Sequence, residues 1–380
     1  MQQSNGYFYI SISTGMKIKD IINVLENLAP PSLQEVYDNA ALITGNKTDV
    51  CNGILCSLDA TEAIVEEAIK NNCNLVVAHH PIVFKGLKSI TGKNYIERTI
   101  IKAIKHDIAI YAIHTNLDNL LSGVNGKMAD LLGLVDRRVL QPKKDMLKKL
   151  FTFVPYTHAE KLREALWAAG AGHIGNYSEC SFNSGGKGTF KGGANTDPFV
   201  GQRGELHTEE EVKIEVVFPS WLQTQVISAL IASHPYEEPA YDIVVLDNRF
   251  DKVGSGLTGI LPEPVDEASF LEKLKKVFKL SVIRHTALTG KKIRTVSLCG
   301  GAGSFLVPNA LQADSDIYIT ADMKYHEFFD AEGRMVIADI GHYESEQFTI
   351  DLVHDILQEK FPTFAVLKTA VNTNPVFYYA

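Results

Sequence analysis

Four short apolar runs constrain this chain most: NLVVA (74–78), DIAIYAI (107–113), DIYIT (316–320) and MVIADI (335–340). Half-exposed strands alternate polar and apolar residues, whereas runs like these fit strands covered on both faces. GILCSLD (53–59) reads as a further strand, with Asp59 capping a helix in which Ile64, Val65, Ala68 and Ile69 recur at helical spacing. YIERTIIKAIKHD (95–107) is again helical. Strand, helix, strand, helix, strand implies parallel pairing with right-handed crossovers. RTVSLCG (294–300) and FAVLK (364–368) join DIYIT and MVIADI in the same rhythm near the other end of the chain.

Between these two stretches the rhythm changes. KLFTFVP (149–155) is a strand, HAEKLREALWAAG (158–170) a helix and HIGNYSECSF (173–182) a strand, followed by a glycine-rich loop over 184–193. EVKIEVVFP (211–219), SWLQTQVISALIASH (220–234) and AYDIVVL (240–246) then read as strand, helix and strand. That βαββαβ order is a ferredoxin-like unit. The chain, at 380 residues, exceeds one typical core. The expectation is an α/β domain in two pieces, residues 1–146 and 249–380, interrupted by an insert at 147–248.

A formal net charge of −8, with no dense Lys/Arg cluster, disfavours nucleic acid as a partner. Five scattered cysteines without a CxxC pair point to reduced thiols and a cytoplasmic location. No apolar run approaches the ~20 residues of a membrane span. MQQSNGYFYISISTG lacks the build of a secretory signal and reads as a leader or extra segment ahead of Met16.

The chemistry-bearing residues gather at strand ends. His79 and His80 end one strand, and His114 with Asp118 follows the next. In open α/β sheets, ligands collect beyond the carboxyl ends of the strands. Alone, His79-His80-Pro81 is equally well a turn with one exposed and one core histidine. His342 and Glu346 stand four apart at the start of a helix, a spacing that also suits a simple surface pair. Asp322 and His326 repeat that spacing after DIYIT. Taken together, imidazole and carboxylate at several strand ends favour a site for divalent ions such as zinc, iron or manganese. Gly300, Gly301 and Gly303 separate a strand from a helix; they form a tight turn or an N–H cradle for phosphate.

NLVVAHHPIVFKGLKSI, AIYAIHTNLDN, GVNGKMADLLGL, LCGGAGSFL, ITADMKYHEF, GHYESE and NTNPVFYY, in that order, resemble the Nif-three-like family over residues 16–380. Its members often carry the name GTP cyclohydrolase I type 2 homologue. GAGHIGNYSECSF, GKGTF and HPYEEPAYDIVVL are similar to the PII/CutA-like insert of its long form. The resemblance implies a toroidal homohexamer with two metal ions per subunit. It places one ion on His80 and Asp118 and the other on His79 and His342, with Glu346 bridging and His114 and His326 as nearby proton-transfer groups. The family's Trp-Asp-Asn-Val-Gly-Leu pattern appears here as Tyr37-Asp38-Asn39-Ala40-Ala41-Leu42. The function implied is a metal-dependent hydrolase acting on a small nucleotide-like molecule. Its rivals are a non-enzymatic metal-binding regulatory or adaptor hexamer, and a protein or nucleic-acid partner role.

Overall fold

A computed structural model describes residues 15–379; the N-terminal stretch ahead of Gly15 lies outside the described residues. Two compact units emerge: one joins the chain up to Gln141 with the chain from Lys252 on, the other is Pro142–Asp251. Among the described residues no helix is long and apolar enough to cross a membrane.

The first unit holds two sheets. One has the order Leu42–Thr44, Ala109–Ala112, Leu75–Ala78, Ile54–Ser57, Val366–Lys368, parallel throughout except for its first pair. The last strand thus returns from the C-terminal piece to the N-terminal sheet. The other sheet runs Arg284–His285, Val336–Asp339, Ile317–Ala321, Lys292–Ala302, Gly254–Asp266, Val135–Pro142, with the Lys292–Ala302, Ile317–Ala321 and Val336–Asp339 strands mutually parallel.

The unbroken apolar runs have a direct cause. Leu75 and Val77 point to one core with Ile21 and Leu25 of helix Ile18–Leu28 and Leu357 of helix Thr349–Lys360. Their neighbours Val76 and Ala78 point to the opposite face, against Ile64 of helix Glu62–Lys70 and Ile100 of helix Tyr95–Lys105. Successive strand side chains face opposite ways, so a sheet buried on both sides needs every residue apolar. The second sheet repeats this: Ile317 and Ile319 meet Phe270 and Leu274 of helix Glu267–Phe278, while Tyr318 packs with Leu306 and Val307. Both sets of strand ends are therefore held by two-sided packing.

The second unit is a four-stranded antiparallel sheet, in the order Phe182–Lys191, Leu206–Pro219, Leu147–Pro155, Tyr241–Leu246. Helices Ala159–Ala168 and Gln223–Ser233 supply Leu162, Leu166, Val226 and Leu230 to its core. This is the ferredoxin-like arrangement. One strand differs from the sequence reading: the glycine-rich stretch itself is the strand, and most of residues 173–182 is irregular. A Cβ on Gly185 would lie 2.1 Å from the Tyr156 hydroxyl, and one on Gly188 would lie 2.2 Å from the Glu211 carboxylate. Here glycine marks close approach across a strand rather than a loop.

Candidate metal centre

His79 and His80 continue the ladder of strand Leu75–Ala78: their N–H groups donate to the carbonyls of Ser57 (3.1 Å) and Leu58 (2.9 Å). Being adjacent on an extended backbone, they diverge. The Nδ1 of His79 lies 2.7 Å from the Ile113 carbonyl, leaving Nε2 to face Asp118 Oδ1 at 3.4 Å. His80 instead has Nδ1 2.8 Å from Asp59 Oδ1 and Nε2 2.9 Å from Glu346 Oε2. From the second sheet, the short helix His342–Glu346 brings His342 Nε2 to 3.1 Å from Glu346 Oε2 and 3.4 Å from His80 Nε2. Asp322 holds His342 Nδ1 at 2.7 Å, and Asp38 holds His114 Nδ1 at 2.8 Å. All four rings have Nδ1 engaged by an oxygen, the arrangement that orients metal-binding imidazoles and fixes their tautomer.

Protonation differs across the cluster. Burial drives His79 down to about 3, so its ring is neutral. A carbonyl can only accept, so Nδ1 carries the proton and Nε2 presents a bare lone pair. Burial and the charge of Glu346 push Asp118 well above the usual carboxyl range. His79 Nε2 and Asp118 Oδ1 are both buried and have no hydrogen-bond partner. Buried polar atoms are normally satisfied, and two donor-set atoms facing each other unsatisfied fit a cation. Burial opposes charge on His80 and His342, but Asp59, Asp322 and Glu346 outweigh it and raise them to about 9 and about 11. Glu346, despite burial, is held well below the carboxylate range by the same two histidines.

Three groups have ligand atoms mutually within 4.8 Å: His79, Asp118 and Glu346; His80, His342 and Glu346; and His79, His80 and His114. Glu346 thus belongs to both carboxylate-bearing groups, as a bridge would. By proximity of ligand atoms, His79 groups with Asp118 and His80 with His342, whereas the resemblance implies His80 with Asp118 and His79 with His342. The reason lies in the partners of Nδ1, since the Ile113 carbonyl turns His79 inward and Asp59 turns His80 across the cleft. His80, His114, Asp118, His342 and Glu346 line a cleft of about 1370 Å³ together with Tyr37, Phe84, Lys85, Lys88 and Tyr343.

The glycine turn has another use. Gly301 has φ +63, and a Cβ there would lie 2.4 Å from Glu346 Oε1. The N–H of Gly300 donates to Asn125 Oδ1 (2.9 Å) and that of Gly301 to Ser345 Oγ (3.0 Å). Close approach to the shared carboxylate explains Gly301, and these two N–H groups are already committed to protein oxygens. A Cβ on Gly303 would meet the hydroxyls of Thr320 and Tyr318 at 2.5 Å. His326 does not join the cluster: it is exposed in segment Tyr325–Ala331, its ring stacked on Phe329 at 6.3 Å. His114 does join, with ring centroids 5.2 Å from His79 and 5.3 Å from His80. Two carboxylates escaped sequence reasoning. The sequence suggests Asp59 as a helix cap, but Thr61 caps that helix and Asp59 holds His80. Asp38 holds His114 and also accepts from the Thr115 N–H at 3.0 Å. Its place in the Tyr37-Asp38-Asn39 stretch was the available signal.

Fold and site together define an α/β protein with clustered histidine and carboxylate groups that can hold metal, carrying an inserted ferredoxin-like domain. The chain belongs to the Duf34/NIF3 (NGG1p interacting factor 3) family, whose model matches residues 16–375. It is 41% identical over 361 residues to the GTP cyclohydrolase 1 type 2 homolog of Halalkalibacterium halodurans, covering 93% of this chain and 97% of that protein. The Bacillus subtilis protein of the same name is 37% identical over 327 residues, covering 86% of this chain and 88% of the relative. Among solved structures, a Bacillus cereus protein related to NIF3 matches with a TM-score of 0.85 at 37% identity, over 97% of this chain and 100% of that one.

Proposed function

We propose that this protein is a hydrolase dependent on two divalent cations and acting on a small nucleotide-like substrate in the cleft. The observation that carries the reading is the buried, unpartnered pair of His79 Nε2 and Asp118 Oδ1 beside a second ligand group that shares Glu346. His79, Asp118 and Glu346 would hold one ion, and His80, His342 and Glu346 the other. Zinc, ferrous iron and manganese suit such donors. Bound there, the ions would supply Lewis acidity toward the bond under attack. His114, steadied by Asp38, is the group placed to take up or deliver a proton in the cleft. A nucleotide-like substrate is supported by the name of the relatives and by the size of the cleft.

The insert, residues 147–248, would shape a toroidal homohexamer rather than the chemistry; the family resemblance supports the hexamer. The five free cysteines support a cytoplasmic setting. The test is turnover by metal-loaded protein on GTP, other nucleotides and small cyclic amides, following formate and phosphate release. Activity should require metal, and His114→Ala should keep both ions while losing roughly 10²–10⁴-fold in rate. Full metal occupancy without turnover anywhere in the screen would hand the assignment to a non-enzymatic metal-binding regulator.

A further inference from the structure

The C-terminal segment, residues 369–379, has no regular structure, yet it is hydrogen-bonded to helices from both pieces of the first unit. Near its start, the Ala370 N–H donates to Glu67 Oε1 at 2.8 Å, on a helix of the first sheet. Further on, Asn374 Nδ2 donates to Glu344 Oε1 at 3.0 Å, on the short helix that carries His342 and Glu346. Between these anchors the Thr373 hydroxyl donates to Asp59 Oδ2 at 2.5 Å. The other oxygen of Asp59 engages His80 Nδ1 at 2.8 Å. Thr373, Asn374, Pro375, Val376 and Tyr378 line the cleft itself.

A carboxylate with one hydrogen-bonded oxygen can still rotate about its side-chain torsions. With both oxygens engaged, by a ring nitrogen on one side and a hydroxyl on the other, its plane is fixed. A fixed carboxylate in turn fixes the imidazole it holds, and partners of this kind set both ligand orientation and basicity. We propose that the C-terminal segment is a working part of the metal centre, with Thr373 as a positioning residue that orients Asp59 and through it His80. This rests on the two-ion reading above. It predicts an asymmetric effect, because the chain of contacts reaches His80 and not His79, whose Nδ1 is held independently by the Ile113 carbonyl.

The test is metal retention by the full-length protein, loaded with manganese or zinc and dialysed against graded chelator, with ions per chain counted by elemental analysis. Wild type should release its two ions at defined chelator concentrations. Thr373→Val, close to threonine in shape but without the hydroxyl, should lose one of the two about tenfold more readily, the order expected for partners behind a ligand. Thr373→Ser should restore retention. Asp59→Asn should release the same ion at least as readily, and it keeps the idea testable if the valine variant folds poorly. Wild-type retention of both ions by folded Thr373→Val, or equal weakening of both, would overturn the assignment. A wild type that never holds two ions would instead overturn the two-ion reading on which it rests.

Discussion

Where the first sheet ends, His79 and Asp118 face each other with nothing to share; where the second ends, His342 and Glu346 form an ion pair that His80 completes. Burial lowers His79 and raises Asp118, so this side opposes charge, and its unsatisfied atoms are a cost that the surrounding packing sustains. The second side is satisfied without metal, because protons on two histidines stand in for positive charge. On the first side a cation would meet the bare Nε2 of His79, while on the other it must displace protons from both imidazoles. Glu346 belongs to both sides and couples them.

The harshest way to break this contrast is to remove what the two sides have in common. Glu346→Ala should empty both positions, leaving elemental analysis of the purified variant near zero metal per chain. Two ions per chain in that variant would end its role as the shared ligand. Asp118→Asn should act on one side only, leaving about one ion per chain. Because burial already favours the neutral form of Asp118, the amide should not lower the melting temperature of the metal-free protein. A marked drop would mean that the carboxyl group has a partner the geometry does not show.

The protonation contrast gives a subtler prediction. At pH 7 the metal-free protein carries protons on His80 and His342, since both are raised above that pH. A ligand histidine must be neutral, so filling this side releases them, and affinity there weakens as pH falls. The weakening approaches about tenfold per pH unit for each proton displaced. Titration calorimetry of Asp118→Asn in buffers of different ionisation heat should find nearly two protons released per ion. The smallest effect belongs to His326→Ala, whose ring stacks on Phe329 away from the ligand groups. Metal content and turnover should match wild type, with stability changed by no more than about 0.5 kcal/mol.

Much of this was legible in the sequence because burial on both faces of a sheet leaves a plain mark. Runs such as NLVVA and MVIADI reveal parallel strands, and histidines directly after them reveal where a site collects. What stayed hidden depends on side-chain direction. Which of two adjacent histidines turns toward Asp118 is decided by the Ile113 carbonyl and by Asp59, and no spacing encodes that choice. His342–Glu346 and Asp322–His326 show the same spacing, yet only the first spans a helical turn; His326 falls in a 3₁₀ segment that carries it away. The glycines at both places have one cause. In the inserted domain they mark close approach across a strand where the sequence suggests a loop, and beside Glu346 the turn brings Gly301 close to the carboxylate.

The most direct test of a shared two-ion centre is anomalous scattering from crystals of the manganese-loaded protein. Two peaks per chain are expected, one beside His79 Nε2 and Asp118, the other beside His80 Nε2 and His342 Nε2, with Glu346 reaching both. A single peak, or two peaks with His79 and His80 exchanged between them, would contradict this arrangement.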